Sequence, residues 1–77
     1  MNDPRNNREF VVCVRNTGYK ASLLVRRIYR RFPDAEAERR GLLRVVDESG
    51  EDYLFPKKLF EPISVPDKVA RTFSRAK

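Results

Sequence analysis

The sequence predicts an all-β domain with minor helical turns: a small antiparallel barrel or curled sheet of about five strands, with room for a short C-terminal helix. Three observations carry that expectation. Runs rich in β-branched and aromatic residues, EFVVCVR among them, recur at short intervals between Asn, Gly and Pro punctuation. Two of the runs, LLRVVD and DYLF, are separated by a turn sequence that fits a hairpin. A chain of 77 residues also leaves no space for the helical crossovers that parallel strands require.

Residues 9–15 (EFVVCVR) form the first strand, stopped by Asn16, Thr17 and Gly18. The strand period of two puts Phe10, Val12 and Val14 on one face and Val11 and Cys13 on the other, so both faces are apolar and both are expected to be covered. Residues 23–32 (LLVRRIYRRF) show helical spacing at Leu24 and Ile28 but strand formers at Val25, Ile28, Tyr29 and Phe32. They are read as a strand, kinked where Arg26-Arg27 breaks the alternation and ended by Pro33. Residues 34–40 (DAEAERR) begin with an N-capping Asp34, run from acidic to basic and stop at Gly41, which allows one or two helical turns. Residues 42–47 and 52–55 make the hairpin, with Gly50 supplying a positive φ at a tight Ser49-Gly50 turn. Pro56 interrupts, PKKL suits a single tight helical turn, and FEPI suits a last edge strand that tolerates Pro62. Beyond Asp67, Val69 and Phe73 are spaced for a short docking helix. The chain therefore divides into an N-terminal arm over 1–8, a sheet domain over 9–65 and a tail or short helix over 66–77.

With 40% hydrophobic residues, five Phe and three Tyr, the chain supports a packed interior, although a domain of this size buries only about 60% of its unfolded surface. The opening MNDPRNNR has no apolar residue after Met1, and the longest apolar run, FVVCV, is far short of the roughly 18 residues of a membrane span. The expected location is cytoplasmic. Cys13 is the only cysteine, which rules out an intrachain disulfide and a zinc site of several thiolates. The chain has no His and no Gly-rich phosphate loop, and its serines lack a His base. No catalytic residue, cofactor, metal or small-molecule substrate is therefore expected, and the chain is not read as an enzyme. Asp47, Glu48, Glu51 and Asp52 crowd the hairpin turn, but strand residues resume too soon for a calcium loop. That acidic tip also suits contact with the basic face of a partner or of another copy.

Seventeen Lys and Arg against eleven Asp and Glu give a net charge of +6, which points to a polyanionic partner. The candidate cations are Lys20, Arg26, Arg27, Arg30 and Arg31, with Lys57 and Lys58 on the last turn. Arginine suits phosphate, and tyrosines beside it offer stacking surfaces. The competing reading makes these arginines the polar face of a half-solvated sheet, the tyrosines packing residues and Cys13 a small buried hydrophobe. Lys68, Arg71, Arg75 and Lys77 beside Val69 and Phe73 admit contact with anionic lipid, although a membrane is not the expected partner.

The run LFPKKLFEPI resembles the end of a Src-homology-3 domain, where an L-F-P-x-x-x-(apolar)-x-x-I pattern forms a strand, a single helical turn and the last strand. LLVRRIYRRF resembles that fold's basic diverging turn and second strand. More narrowly, NTGYKASL, IYRRFPD, GLLRVVDESGEDYLFP and F-x-P-I are together similar to a family of small uncharacterised bacterial proteins, over about residues 9–63. The first resemblance implies a Src-homology-3-like barrel that binds a protein partner in the groove between the turn after the first strand and the hairpin, or along an exposed strand edge. There is no Trp, and Leu59 stands where that family places a peptide-binding tyrosine. Tyr19, Tyr53 and Leu59 are therefore the candidate groove residues, and proline-rich peptides are not the implied ligand. The expectation is a monomeric, non-enzymatic binding module for a protein partner, with nucleic acid as the alternative.

Overall fold

The computed structural model describes residues 10–74; the arm over 1–8, Glu9, and the last residues of the tail with Arg75 and Lys77 lie outside the described residues. Each apolar run becomes a short strand. In chain order these are β1 (Phe10–Cys13), β2 (Ile28–Phe32), α1 (Ala35–Arg39), β3 (Leu42–Val46), β4 (Asp52–Pro56), a 3-10 turn (Lys57–Leu59), β5 (Phe60–Pro62) and α2 (Asp67–Ser74). The five strands form one sheet in the order β4-β3-β2-β1-β5, and every pairing is antiparallel.

β2 changes partner along its length. Its residues 28–30 pair with β1, whereas Arg31 and Phe32 pair with β3. β4 and β5 share no ladder, so the expected barrel does not close. β5 is only three residues long and ends in Pro62, which has no N–H to offer, and a closing ladder would have little backbone to use.

The core sits on the inner face. Val11, Cys13, Tyr29, Leu43, Val45 and Phe55 point there by the period of two, joined by Leu23, Leu59 and Phe60 from the turns and β5. Phe55 is the hub, with its ring edge-on to Tyr19 at 5.4 Å and to Phe60 at 6.2 Å. The outer face of β1 is covered where Phe10 meets Phe73 of α2, ring centroids 5.0 Å apart. Val14, beyond the end of β1, is exposed.

The strand expected over 23–32 starts only at Ile28. Residues 24–27 form a turn instead: Arg26 adopts a φ of 70°, a left-handed conformation that a strand residue does not take. The turn is held by Arg26 N–H donating to the Cys13 carbonyl at 2.6 Å and Arg27 N–H to that of Leu24 at 3.3 Å. Leu23 is buried in the core, while Leu24 and Val25 are exposed. α1 follows its expected capping: the Asp34 carboxylate accepts the Ala37 N–H at 3.1 Å, and Gly41 ends the helix at a φ of 78°. The hairpin turn is one residue wider than the expected Ser49-Gly50 pair. The Asp47 N–H donates to the Glu51 carbonyl at 3.0 Å and closes a loop over 48–50. Among the described residues no helix is long and apolar enough to cross a membrane.

Candidate functional site

Alternation along β2 sends Tyr29 into the core and turns Ile28, Arg30 and Phe32 to the outer face. There the Arg30 guanidinium lies over the Phe32 ring, 5.5 Å from its centroid. Val46 of β3 and Phe73 of α2 extend the apolar floor to make a trough of 420 Å3, with Arg27 and Glu48 on its wall. A second hollow of 500 Å3 shares Arg27, Ile28 and Phe73 and adds Leu24, Val25 and Arg26. The two form one apolar surface around Ile28 and Phe73, rimmed by Arg26, Arg27 and Arg30.

The wall of the trough is fixed by Tyr29. Its hydroxyl accepts the Leu24 N–H at 2.7 Å and donates to Glu48 Oε2 at 2.5 Å. Glu48 also takes the Arg27 Nε at 3.1 Å, and its N–H donates to the Ser22 carbonyl at 3.0 Å. Burial first, and then the Glu48 carboxylate, push the Tyr29 phenol up to about 12. The hydroxyl therefore stays protonated and keeps donating.

Between the turn after β1 and the hairpin, a separate hollow of 420 Å3 brings Tyr19 and Tyr53 together with Leu54 and Phe55. The Tyr53 hydroxyl donates to Glu51 at 2.9 Å, and that bond raises its pKa. Leu59 is not in this groove: with 2% exposure it belongs to the core.

The seven candidate cations do not share one surface. Arg26, Arg27 and Arg30 come together at the trough. Arg27 is ion-paired to Glu48, and Arg31, on the core face of β2, is ion-paired to Glu38 of α1. Lys20 is exposed in the loop between β1 and β2. Lys57 and Lys58 sit on the 3-10 turn that leads into β5, and β1 lies between β5 and β2. Neither hollow at the trough includes them.

Ile28, Phe32, Val46 and Phe73 of the floor, with Leu24 and Val25 beside them, were not among the residues expected at the site. The alternation Ile28, Arg30, Phe32 was the available signal for the first two. Val46 and Phe73 reach the trough only through the β2–β3 pairing and the docking of α2, which no local pattern encodes. Cys13 is fully buried, its thiol pKa is raised by that burial, and its S–H donates to the Arg15 carbonyl at 3.2 Å. At the acidic hairpin tip, Asp47 is occupied by Ser49, accepting its N–H at 2.8 Å and its hydroxyl at 2.6 Å. Among the described residues no three His, Cys, Asp or Glu side chains are placed to hold a metal ion. No family model, curated protein or solved structure matches the chain.

Proposed function

We propose that the chain is a non-catalytic binding module whose trough along β2 takes an extended protein segment bearing apolar and acidic side chains. The observation that supports this most is the union of the apolar floor, Ile28, Phe32 and Phe73, with the rim of Arg26, Arg27 and Arg30. Apolar side chains gain about 25 cal/mol for each Å2 they bury on such a floor, and a carboxylate fits the planar fork of arginine. The test is an amide-shift titration with an unstructured peptide in which Glu alternates with Leu and Phe. Shifts should concentrate at residues 24–32 and at Phe73, and Phe32→Ser should weaken binding roughly tenfold. Shifts elsewhere only, or none, would overturn the proposal.

Nucleic acid is the second reading, favoured by Lys20, Arg26, Lys57 and Lys58, which are exposed and in no ion pair among the described residues. The same titration with single-stranded and duplex oligonucleotides decides it. A polyanion site gives shifts at these four residues and an affinity that falls steeply with salt. The finer description of the fold as Src-homology-3-like belongs to the proposal too, supported by the strand order and by the 3-10 turn joining the two edge strands. Affiliation with the family of small bacterial proteins is proposed on NTGYKASL, IYRRFPD, GLLRVVDESGEDYLFP and F-x-P-I together, of which GLLRVVDESGEDYLFP is the most specific.

A further inference from the structure

The sheet ends in two edges, and they are not equivalent. β5 is three residues long and closes with Pro62, which blunts it. Among the described residues β4 runs for five residues, pairs only with β3, and leaves Tyr53 and Leu54 among the most exposed large apolar side chains, at 49% and 41%. Backbone register determines what this edge offers. The Asp47 N–H donates to the Glu51 carbonyl, and the Lys57 N–H donates to the Gly41 carbonyl at 2.8 Å. In the register that pairs Val45 with Tyr53 and Leu43 with Phe55, residues 51, 53, 55 and 57 therefore turn their backbone groups toward β3. Asp52, Leu54 and the Pro56 carbonyl face outward.

We infer that β4 is the contact edge of a homodimer, in which β4 of a second copy adds antiparallel about a two-fold axis at Leu54. In that register the two Leu54 residues exchange both backbone hydrogen bonds, and each Asp52 N–H donates to the Pro56 carbonyl of the other copy. The missing N–H of Pro56 removes one bond per side, so four remain across the axis. The same register sets Glu51 of each copy against Lys57 of the other, and Tyr53 against Phe55. Among the described residues Lys57 is exposed and in no ion pair, and the Glu51 carboxylate accepts only from the Tyr53 hydroxyl. The edge is thus self-complementary in charge, as a two-fold contact requires. At physiological ionic strength the Debye length of about 8 Å screens the mutual repulsion of two +6 chains, while the contact pairs persist.

Sedimentation velocity over a concentration series up to about 1 mM, with amide hydrogen exchange on the same samples, tests the arrangement. The expected result is a concentration-dependent dimer in which the Asp52 and Leu54 amides gain protection on association, while those of Tyr53 and Phe55, already bonded to β3, do not change. Glu51→Lys and Lys57→Glu should each weaken self-association roughly tenfold, since both symmetric contacts turn repulsive. An equimolar mixture of the two variants should associate again, because every facing pair is then of opposite sign. A chain that stays monomeric throughout would overturn the inference. So would a dimer that leaves the Asp52 and Leu54 amides unprotected, or two variants that fail to rescue one another while each remains folded by circular dichroism.

Discussion

The Tyr29 hydroxyl bonds to the Leu24 N–H and to Glu48, and Glu48 in turn holds Arg27 and Ser22, so one oxygen ties the 22–27 turn to the hairpin tip. Tyr29→Phe keeps the ring and its packing but leaves the Leu24 N–H and the Glu48 carboxylate each short of a partner. Urea unfolding should show a loss of about 1–3 kcal/mol. The same substitution isolates a pH effect. The phenol is raised from 10.0 to about 12 in the folded chain, so between those values the unfolded state loses its proton while the native state keeps it. Stability linked to Tyr29 is therefore complete below pH 10 and lost as pH rises toward 12. The difference between the wild-type protein and Tyr29→Phe should shrink across that window. If the difference stays constant, the hydroxyl does not titrate as the geometry requires.

α1 has five residues, too few to persist alone, and owes its place to its ends. Asp34 caps it and reaches Arg44 of β3 at 2.9 Å, while Glu38 takes Arg31 of β2. The Ala37 N–H first, and the Arg44 guanidinium second, hold the Asp34 carboxyl below its ordinary 3.8. A depressed acid stabilises the fold above its unfolded pKa and ceases to do so as pH falls through the folded one. Asp34→Ala should lower Tm by a few degrees at pH 7 and by less as pH falls through the folded pKa, and Asp34→Asn, which keeps the cap, should fall between. Elements like this one were legible because their determinants are local: Asp34 and Gly41 bound the helix, and Ser49 and Gly50 mark the hairpin. Residues 24–27 were not. Val25 is a good strand former, and it is the Arg26 N–H bond to Cys13, distant along the chain, together with the Leu24 N–H bond to the Tyr29 hydroxyl, that favours a turn there.

At the scale of the whole chain, the candidate site is a product of assembly. Its arginines were visible in the sequence, yet which of them meet depends on β1 lying between β2 and β5, which separates Lys57 and Lys58 from the Arg26-Arg27 turn. The counter-charges were equally hidden: Glu38 and Glu48 remove Arg31 and Arg27 from the free cations, and neither acid is a sequence neighbour of its partner.

The sheet order also sets a sequence of events in time. β3 and β4 are joined by a loop over 48–50 and lose little entropy in meeting, whereas Val11 of β1 pairs with Pro62 of β5, far away along the chain. The hairpin is then the early partner and the β1–β5 ladder the late one. In stopped-flow chevrons, Val45→Ala in the hairpin should mainly slow folding, and Phe60→Leu in β5 should mainly speed unfolding. The reverse assignment would place the nucleus at the other edge. A strand that locks last should also be the first to open, so amide exchange is expected to be faster in β5, and in the 3-10 turn that carries Lys57 and Lys58, than in the other strands.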